Sequence, residues 1–252
     1  MRIDIVTLFP EMCENILNES IIGRARARGY LQVCCHQLRD HGEGVHKRVD
    51  DCTFGGGKGM LLMAQPIAKA FDEIIEQTAV RPHIVYMSPR GRVLDQEKVK
   101  ELAKNENIIV LCGHYEGVDE RVLEEYDVEE ISIGDFVLTG GELPAVILTD
   151  AVARMLPGVL SEDVCFEEES HYDGLLEYPQ YSRPEVWNGR AVPPVLLSGH
   201  HANIARWRRK QSIMRTRLRR PDMYSALTFT TKEDKKILSE IEAELNGGEE
   251  DE

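Results

Sequence analysis

Two glycine-rich stretches of the sequence have residue types suited to holding a small ligand. They are Leu111–Asp119, with the sequence LCGHYEGVD, and Ile131–Pro144, with the sequence ISIGDFVLTGGELP. Each contains or follows a short apolar run typical of a buried strand, and open α/β sheets bind ligands at the carboxyl ends of their strands. Glycine there lets the main chain approach a ligand closely. One such stretch alone is typical of a tight turn. Two, with Tyr86–Pro89 ending a third strand, indicate a shared pocket for a nucleotide-like molecule.

Other familiar chemistries are not supported by the motifs. No G-x-G-x-x-G follows the first strand, and Gly55–Met60 (GGGKGM) lacks the hydroxyl residue that follows the lysine of a phosphate loop. We interpret it as a flexible loop closing over a nucleotide substrate. No G-x-S-x-G element is present, and no histidine has the spacing of a metal ligand; His200 and His201 are interpreted as capping or surface residues. The six cysteines form no C-x-x-C pair, so we expect free thiols and no metal site.

Charge is distributed unevenly along the chain. The net charge is −14, which by itself argues against a polyanionic partner. The segment Ile204–Arg220 nevertheless contains eight basic residues and no acidic one: Arg206, Arg208, Arg209, Lys210, Arg215, Arg217, Arg219 and Arg220. Such a run is often the solvated face of a helix, but here no acidic residue stands at i+4 to pair with these cations. The segment therefore predicts a phosphate-contacting surface, with Trp207 more consistent with a core position.

Strand and helix patterns alternate over the first two-thirds of the chain. Strands are predicted at Ile3–Leu8, Leu31–Gln37, His83–Met87, Ile108–Cys112 and Glu130–Ile133, and helices from Pro10 and at Gln65–Glu76, Asp95–Lys104 and Leu143–Met155. Their alternation predicts an α/β fold with a parallel sheet. The stretch His41–Met60 is predicted to be a long functional loop.

The last third of the chain has a helical pattern. Ile204, Trp207, Met214 and Leu218 share one helical stripe, Pro221 should end that helix, and Thr231–Leu245 should form a final one. We predict an α/β domain over residues 1–160, an acidic linker over 161–181, a small all-helical domain over 182–246 and a disordered acidic tail over 247–252. No apolar run is long enough for a membrane helix, and the N-terminus lacks signal-peptide features, so we expect a cytoplasmic protein.

A series of motifs, in one order along nearly the whole chain, closely resembles the bacterial tRNA (guanine-N1)-methyltransferases of the TrmD family. These motifs are Asp4–Met12, Val49–Asp51, Gly55–Met60, Gly113–Arg121, Ser132–Pro144, Pro157–Leu160, Tyr181–Glu185 and Pro193–Gly199. Individually they are moderate signals, whereas their joint order and spacing are highly specific.

The resemblance implies a homodimer of the SPOUT class. In that class the α/β domain contains a deep trefoil knot and binds S-adenosylmethionine in a bent shape. The implied reaction is methyl transfer to N1 of the guanosine immediately 3′ of the tRNA anticodon. Each active site would use both subunits, and the helical domain would help to hold the tRNA; neither DNA nor a membrane is an expected partner. Two alternatives are a related SPOUT methyltransferase acting on another RNA site and a non-catalytic RNA-binding relic.

The resemblance also implies two catalytic residues. Guanine N1 carries a proton at neutral pH, so a base should remove it. Glu169 occupies the place of the family's aspartate in the linker, with Asp163 as the alternative. Loss of the proton moves negative charge onto guanine O6, where a cation would stabilise the transition state. Arg154 matches the family's arginine for that role.

Binding residues follow from the same resemblance. The implied cofactor contacts are Tyr86, Ser88, Pro89, Gly113, Tyr115, Glu116, Gly117, Ser132, Ile133, Gly134, Asp135, Phe136, Val137, Leu138, Gly140, Gly141 and Pro144. Asp50 and Gly59 are candidates for reading the substrate guanosine and its 5′ neighbour, and Arg215 and Arg217 for contacting tRNA. His114, Phe136 and Lys58 stand where the family's pattern has Arg, Tyr and Pro. Mg²⁺ dependence is a family expectation, without a dedicated protein cage for the ion.

Overall fold

The computed structural model describes residues 1–56, 59–160 and 170–247 and divides into two compact units, Met1–Asp163 and Val164–Glu252. The division falls inside the predicted linker, and the predicted domain limits stay a prediction. Gly247, predicted to begin the tail, is the last residue of the final helix, and residues 248–252 lie outside the described part of the chain.

The first unit is built on a five-stranded parallel sheet. Its elements are β1 (Arg2–Thr7), α1 (Pro10–Leu17), α2 (Ser20–Ala27), β2 (Gln32–Gln37), β3 (Asp50–Cys52), β4 (Met60–Leu62), α3 (Ala64–Glu76), β5 (His83–Val93), α4 (Gln96–Leu102), β6 (Asn107–Cys112), α5 (Glu120–Tyr126), β7 (Glu129–Ser132) and α6 (Glu142–Ala153). The strand order is β2-β1-β6-β5-β7 with every pairing parallel, which confirms the predicted α/β class.

Both faces of this sheet are covered by helices because alternate side chains of the strands point to opposite sides. On β5, Val85 and Met87 pack with residues of α1, α2, α4 and α6. Ile84 and Tyr86 face the other way and pack with α3 and α5. The central strands β1 and β6 and the first half of β5 are buried on both faces and read as apolar runs, whereas the edge strands β2 and β7 are less buried and carry more polar residues.

Two local features differ from the sequence prediction. Strand β5 does not end at Met87 but continues to Val93, with a register shift between Met87 and Arg92 where it pairs with β7. The predicted loop His41–Met60 instead contains β3 and the start of β4, which form an antiparallel hairpin. Both elements are only three residues long. Such short segments carry too little periodicity to be distinguished from a loop.

The second unit contains β8 (Val186–Trp187), β9 (Arg190–Ala191), α7 (Pro194–Leu197), α8 (His201–Arg219), α9 (Pro221–Ala226) and α10 (Lys232–Gly247). Its core is formed by Leu175, Ile213, Ile237 and Ile241. The predicted apolar stripe was wrong at Leu218, which is 61% exposed, whereas Ile213 is fully buried. The side of α8 on which α10 packs decides which apolar residues are covered, and the sequence of α8 alone does not specify that side.

The described cysteines are free. Cys13 and Cys112 are buried, while Cys52 is exposed. A hydrogen bond with Cys112, aided by burial, raises the pKa of Cys13 to about 12, so this thiol stays protonated. Cys165 lies outside the described residues. Within the described ranges, no helix is both long and apolar enough to cross a membrane.

A partly buried ion cluster joins α4 to β5 and β7 at the end of the sheet where these two strands begin. Lys98 is 4% exposed, and its Nζ lies 2.7 Å from Glu129 Oε1 and 2.8 Å from Glu101 Oε1. His83 Nε2 lies 2.8 Å from the other oxygen of Glu129. Burial by itself raises the pKa of Glu129, but the hydrogen bonds with Lys98 and His83 outweigh it and hold that pKa below its ordinary value.

The substitution Glu129→Gln should lower the free energy of unfolding by about 2 kcal/mol at pH 7, because it leaves the buried ammonium of Lys98 with one carboxylate fewer. Since the folded-state pKa of Glu129 is lowered, its contribution is complete above the ordinary glutamate pKa and is lost as the pH falls through the lowered value. Urea unfolding from pH 7 to pH 3 should therefore show the wild type and the variant converging in acid. Glu97→Gln, which removes an exposed partner of Lys100, is the control and should change stability by less than about 0.5 kcal/mol. If the difference in free energy of unfolding between the wild type and Glu129→Gln stayed constant with pH, the ionised carboxylate of Glu129 would not be what stabilises the cluster.

Candidate cofactor pocket and basic helix

A cavity of about 510 Å³ opens beside the register shift of β5 and at the carboxyl ends of β6 and β7, where α6 begins. Its lining is Leu61, Tyr86–Arg90, Gly113–Val118, Glu120, Ile131–Ile133, Phe136–Gly141 and Pro144. The structure thus brings together the predicted cofactor residues, except Gly134 and Asp135, which do not line the cavity. Its volume lies in the usual range for small-molecule sites.

The two glycine-rich loops cross each other in direct backbone contact. The Gly141 amide donates to the Gly113 carbonyl at 2.9 Å. A Cβ atom on Gly141 would stand 2.7 Å from Cys112 Cα, and one on Gly113 would stand 2.7 Å from the Tyr86 hydroxyl oxygen. Glycine is needed at position 141 because no side chain fits against the backbone of the first loop, whereas at position 113 an added side chain would meet Tyr86.

The second loop is braced internally. The Ser132 hydroxyl donates to the Gly134 carbonyl at 3.0 Å, and the Gly134 amide donates to the Ser132 hydroxyl oxygen at 3.1 Å. In the first loop, Tyr115 has a φ of 59°, a left-handed conformation that few residues other than glycine adopt. Backbone strain of this kind is typical of ligand-binding sites.

The β3–β4 hairpin docks on the first loop and forms one wall of the cavity. The Leu62 amide donates to the Gly117 carbonyl at 3.0 Å, and the Glu116 amide donates to the Met60 carbonyl at 3.0 Å. Gly59 lies so close to Glu116 that a Cβ atom there would overlap the glutamate side chain. A predicted substrate residue, Gly59, is therefore adjacent to a predicted cofactor residue. Asp50 lies on the same hairpin but does not line the cavity.

The charged side chains of the cavity are Arg90, Glu116 and Glu120, and the imidazole of His114 also lines it. Arg90 bridges two carboxylates at the rim, with its Nη2 lying 3.2 Å from Glu120 Oε2 and 3.1 Å from Glu130 Oε2. Burial, together with the nearby charge of Glu130, raises the pKa of Tyr86, so its hydroxyl stays protonated and available as a donor.

Comparison with known proteins decides the family. The family model of tRNA (guanine-1)-methyltransferase TrmD matches residues 1–226. The tRNA (guanine-N(1)-)-methyltransferase of Ruminiclostridium cellulolyticum is 56% identical over 227 residues, covering 90% of this chain and 97% of that protein. Those of Alkaliphilus oremlandii and Dehalococcoides mccartyi are 50% and 48% identical, covering 96% and 98% of this chain and 99% of each protein. The chain belongs to the TrmD family. The predicted resemblance is confirmed.

Of the two catalytic residues implied by this family, the structure describes Arg154 but not Glu169. Arg154 is the C-cap residue of α6, whose N-terminus lines the cavity. Twelve helical residues separate these ends, which corresponds to about 18 Å at 1.5 Å per residue. Arg154 therefore does not line the cavity of its own chain. Glu169, Asp163 and Lys58 lie outside the described residues.

Several lining residues were missed by the sequence interpretation. Arg90 and Glu120 line the rim, and Leu61 comes from the docked hairpin. The position of Arg90, directly after Tyr86–Pro89, could have indicated it had the continuation of β5 been recognised. Leu61 carried no signal, because only the docking of β4 on the first loop brings it to the cavity.

The basic helix α8 is partly neutralised by acids from other segments. Arg206 pairs with Glu233 and Glu240, and Lys210 pairs with Glu240 and Glu244, all on α10. These acids come from a distant helix and not from i+4 within α8, so the absence of i+4 partners holds, and the ion pairs of Arg206 and Lys210 are ones that the local pattern does not reveal.

The last two turns of α8 carry cations with fewer acidic neighbours. Arg215 donates to the Glu177 carbonyl at 3.4 Å, and the Arg217 guanidinium lies 5.8 Å from the centroid of the Tyr224 ring. Arg219 is exposed and has no ion pair with any residue in the described part of the chain. The His200 side chain accepts from the Asn203 amide, which confirms its capping role.

The substitution Gly141→Ala should abolish the cavity. The φ of Gly141 is −85°, which alanine adopts freely, so the effect comes only from the added methyl group forcing the two loops apart. Calorimetric titration with S-adenosylmethionine should show at least a tenfold loss of affinity, roughly 1.4 kcal/mol or more. Gly29→Ala is the control: its Cβ would meet no atom within 4 Å, and only its φ of 77° is unfavourable. Equal loss of affinity in both variants would contradict the role of the loop crossing.

Proposed function

We propose that the protein transfers a methyl group from S-adenosylmethionine to N1 of the guanosine immediately 3′ of the anticodon in tRNA. Family membership over residues 1–226 supports the reaction class. The observation that carries the proposal is the cavity at the crossing of the two loops, which gathers nearly all the residues implied for the cofactor. A related enzyme acting on another RNA site and a non-catalytic relic are the competing hypotheses.

The cavity suits this cofactor in size and in the character of its walls. Gly113, Gly140 and Gly141 line the cavity and have no side chains that would fill it, and apolar Ile133 and Leu138 can flank an adenine ring. Arg90 and Glu116 are a cation and an anion within reach of a zwitterionic amino acid group. When bound, S-adenosylmethionine supplies an electrophilic methyl group on a sulfonium. The residues of the chain bind it, orient it and exclude water.

The proton and charge chemistry is assigned to residues that follow the two glycine-rich loops in the sequence. We assign removal of the N1 proton to Glu169, with Asp163 as the alternative, because a carboxylate occupies the place of the family's aspartate. Arg154 is assigned to guanine O6, where its guanidinium would stabilise the developing negative charge. Mg²⁺ dependence stays a prediction from the family, and no step assigned here depends on it.

A second copy of the chain is part of the proposal. Met12 and Ile16 on α1, and Leu143 and Ile147 on α6, are between 42% and 49% exposed, and the two helices pack side by side. An exposed apolar face of this kind favours a two-fold symmetric dimer. Because Arg154 lies at the far end of α6 from its own cavity, a site completed by the partner subunit would bring the two together.

The proposed trefoil knot is supported by the path of the chain after β7. Strand β7 lies at the sheet edge beside β5, and the Leu94 amide donates to the Ser132 carbonyl at 2.8 Å. The following loop returns past β5 to Gly113 at the end of β6, and α6 then packs against α1, β1 and β6. A return of this kind crosses the segment between β5 and β6. Knots are rare in proteins, so the family resemblance is what motivates this assignment.

The proposed function is tested by incubating the protein with S-adenosylmethionine labelled in its methyl group and tRNA transcripts with or without guanosine 3′ of the anticodon. Label should enter only the former transcript, and nuclease digestion should release 1-methylguanosine. Equal labelling of both transcripts would favour another RNA site. Cofactor binding with no labelling at all would favour the relic.

Mixing two inactive variants should restore activity if the active site is shared. Gly141→Ala removes the cavity and Arg154→Ala removes the cation, but a mixed dimer keeps one site with both. After subunit exchange, random pairing should give about a quarter of the wild-type activity, since half the dimers are mixed and each has one intact site. The control is each variant taken separately through the same subunit-exchange procedure, which should give no activity. No recovery despite proven exchange, shown by differently tagged chains, would place both groups in one subunit.

Neutralising Arg215 and Arg217 together to Gln should weaken tRNA binding and reduce its salt dependence. Each lost phosphate contact should lower the slope of log K against log salt by roughly one. The matched control is the double variant Arg206→Gln with Glu240→Gln, which removes an existing ion pair without changing the net charge. A filter-binding titration between 50 and 200 mM salt (about the range in which such slopes are measured) compares the two. An unchanged slope in the Arg215 and Arg217 variant would make this end of α8 an ordinary solvated surface.

A further inference from the structure

A buried carboxylate lies beneath the loop crossing. Glu142 is the first residue of α6 and is only 2% exposed. Both its oxygens are close to His114 Nε2, at 2.9 Å and 2.8 Å, and Oε1 also accepts a short hydrogen bond from the Thr7 hydroxyl. Thr7 is fully buried and in turn accepts from the Phe9 amide at 2.9 Å. These three side chains come from the ends of β1 and β6 and from the start of α6.

The chemistry of this group fixes its hydrogen-bond directions. An ionised carboxylate only accepts hydrogen bonds, so the Nε2 atom of His114 must carry the proton that it shares with Glu142. A carboxylate withdrawn from water is costly unless all its near neighbours donate to it. Thr7 supplies one donor and His114 supplies the other. Removing the donor of His114 would leave part of a buried charge unsatisfied.

His114 is the member of this group that reaches the ligand cavity. Its side chain is 16% exposed and lines the cavity directly. Its ring lies against Gly140, where an added Cβ would overlap it, and 5.1 Å from the ring of Phe9. The bond between His114 and Glu142 therefore ties the first loop to the second at the point where the two glycine backbones cross.

We propose that His114, held by Glu142, is a positioning residue for the methyl donor. Its Nε2–H bond to Glu142 sets the position of residues 139–141, which form one wall of the cavity, so that the wall is in place before the ligand arrives. Pre-organisation of this kind improves affinity by removing the cost of ordering the loop. This inference rests on the proposed function for the identity of the ligand, S-adenosylmethionine.

Three substitutions of His114 distinguish the effect of its hydrogen-bond donor from the effect of its ring. His114→Gln places an amide nitrogen near the position of Nε2 and keeps the donor without the ring. His114→Asn has the same functional group but its nitrogen falls near the position of Nδ1, out of reach of Glu142. His114→Phe keeps the ring beside Phe9 and has no donor. Calorimetric affinity for S-adenosylmethionine, KM for each substrate, kcat and thermal stability are measured for all three.

The Asn and Phe variants should bind S-adenosylmethionine roughly ten- to a hundredfold more weakly than the wild type, as for an unsatisfied buried carboxylate. The Gln variant should stay within about threefold, a rescue by the conservative substitution. In the Asn and Phe variants the weaker binding should raise KM for S-adenosylmethionine and leave KM for tRNA unchanged. Equal affinities of the His114→Phe and His114→Gln variants for S-adenosylmethionine would overturn the proposal. So would an equal rise of KM for tRNA, because an unsatisfied buried carboxylate lowers thermal stability in the Asn and Phe variants in any case and only a loss confined to S-adenosylmethionine indicates positioning of that ligand.

Thr7 offers a second test if a variant at position 114 fails to fold. Thr7→Val removes only the hydroxyl and should weaken binding of S-adenosylmethionine severalfold, whereas Thr7→Ser keeps the donor and should not. Equal affinities for these two variants would count against the proposal. Failure of the proposed function itself would look different, because the wild type would then not bind S-adenosylmethionine or would not methylate tRNA.

Discussion

The crossing of two main-chain segments at Gly113 and Gly141 is the constraint on which the site depends. The Gly141 amide donates to the Gly113 carbonyl at 2.9 Å, and a Cβ atom on Gly141 would overlap the backbone of the first loop. Because β6 ends at one of these segments and α6 begins at the other, the sheet and the helix layer are joined where the cavity opens. The walls of the cavity are consequences of this crossing, since each loop exposes backbone groups that the other holds in place.

The burial of a charged residue, Glu142, follows from the same crossing of the two loops. Glu142 is buried because it begins the helix that the second loop leads into, and a carboxylate near a helix N-terminus is favoured by the helix dipole. It is satisfied by Thr7 and His114, which arrive from two neighbouring strands. At the opposite end of the sheet, Lys98 is buried between Glu101 and Glu129 and joins α4 to the strands. Both clusters fix helix positions relative to the sheet; only the one that contains His114 also faces the ligand cavity.

The geometry of one chain also limits what that chain can do alone. The cavity lies at the N-terminus of α6 and Arg154 at its C-terminus, so a helix of twelve residues separates the proposed methyl donor from the proposed cation. The apolar residues left exposed on α1 and α6 lie on the same pair of helices. Association through that face is therefore the simplest way in which a second chain could complete the site.

The sequence by itself determined the parallel α/β class, the five sheet strands and most of the cavity lining, because strand patterns alternate with helical ones, the central strands are apolar runs, and the glycine-rich loops follow β6 and β7 directly. It also determined the family, through the order and spacing of its motifs. Only the tertiary structure decided that Leu61 reaches the cavity, that Gly59 lies against Glu116, that Arg154 does not line the cavity, and that α10 neutralises part of α8. These outcomes depend on contacts between residues far apart in the chain, and local periodicity carries no information about which distant segment will supply a wall or a counter-charge.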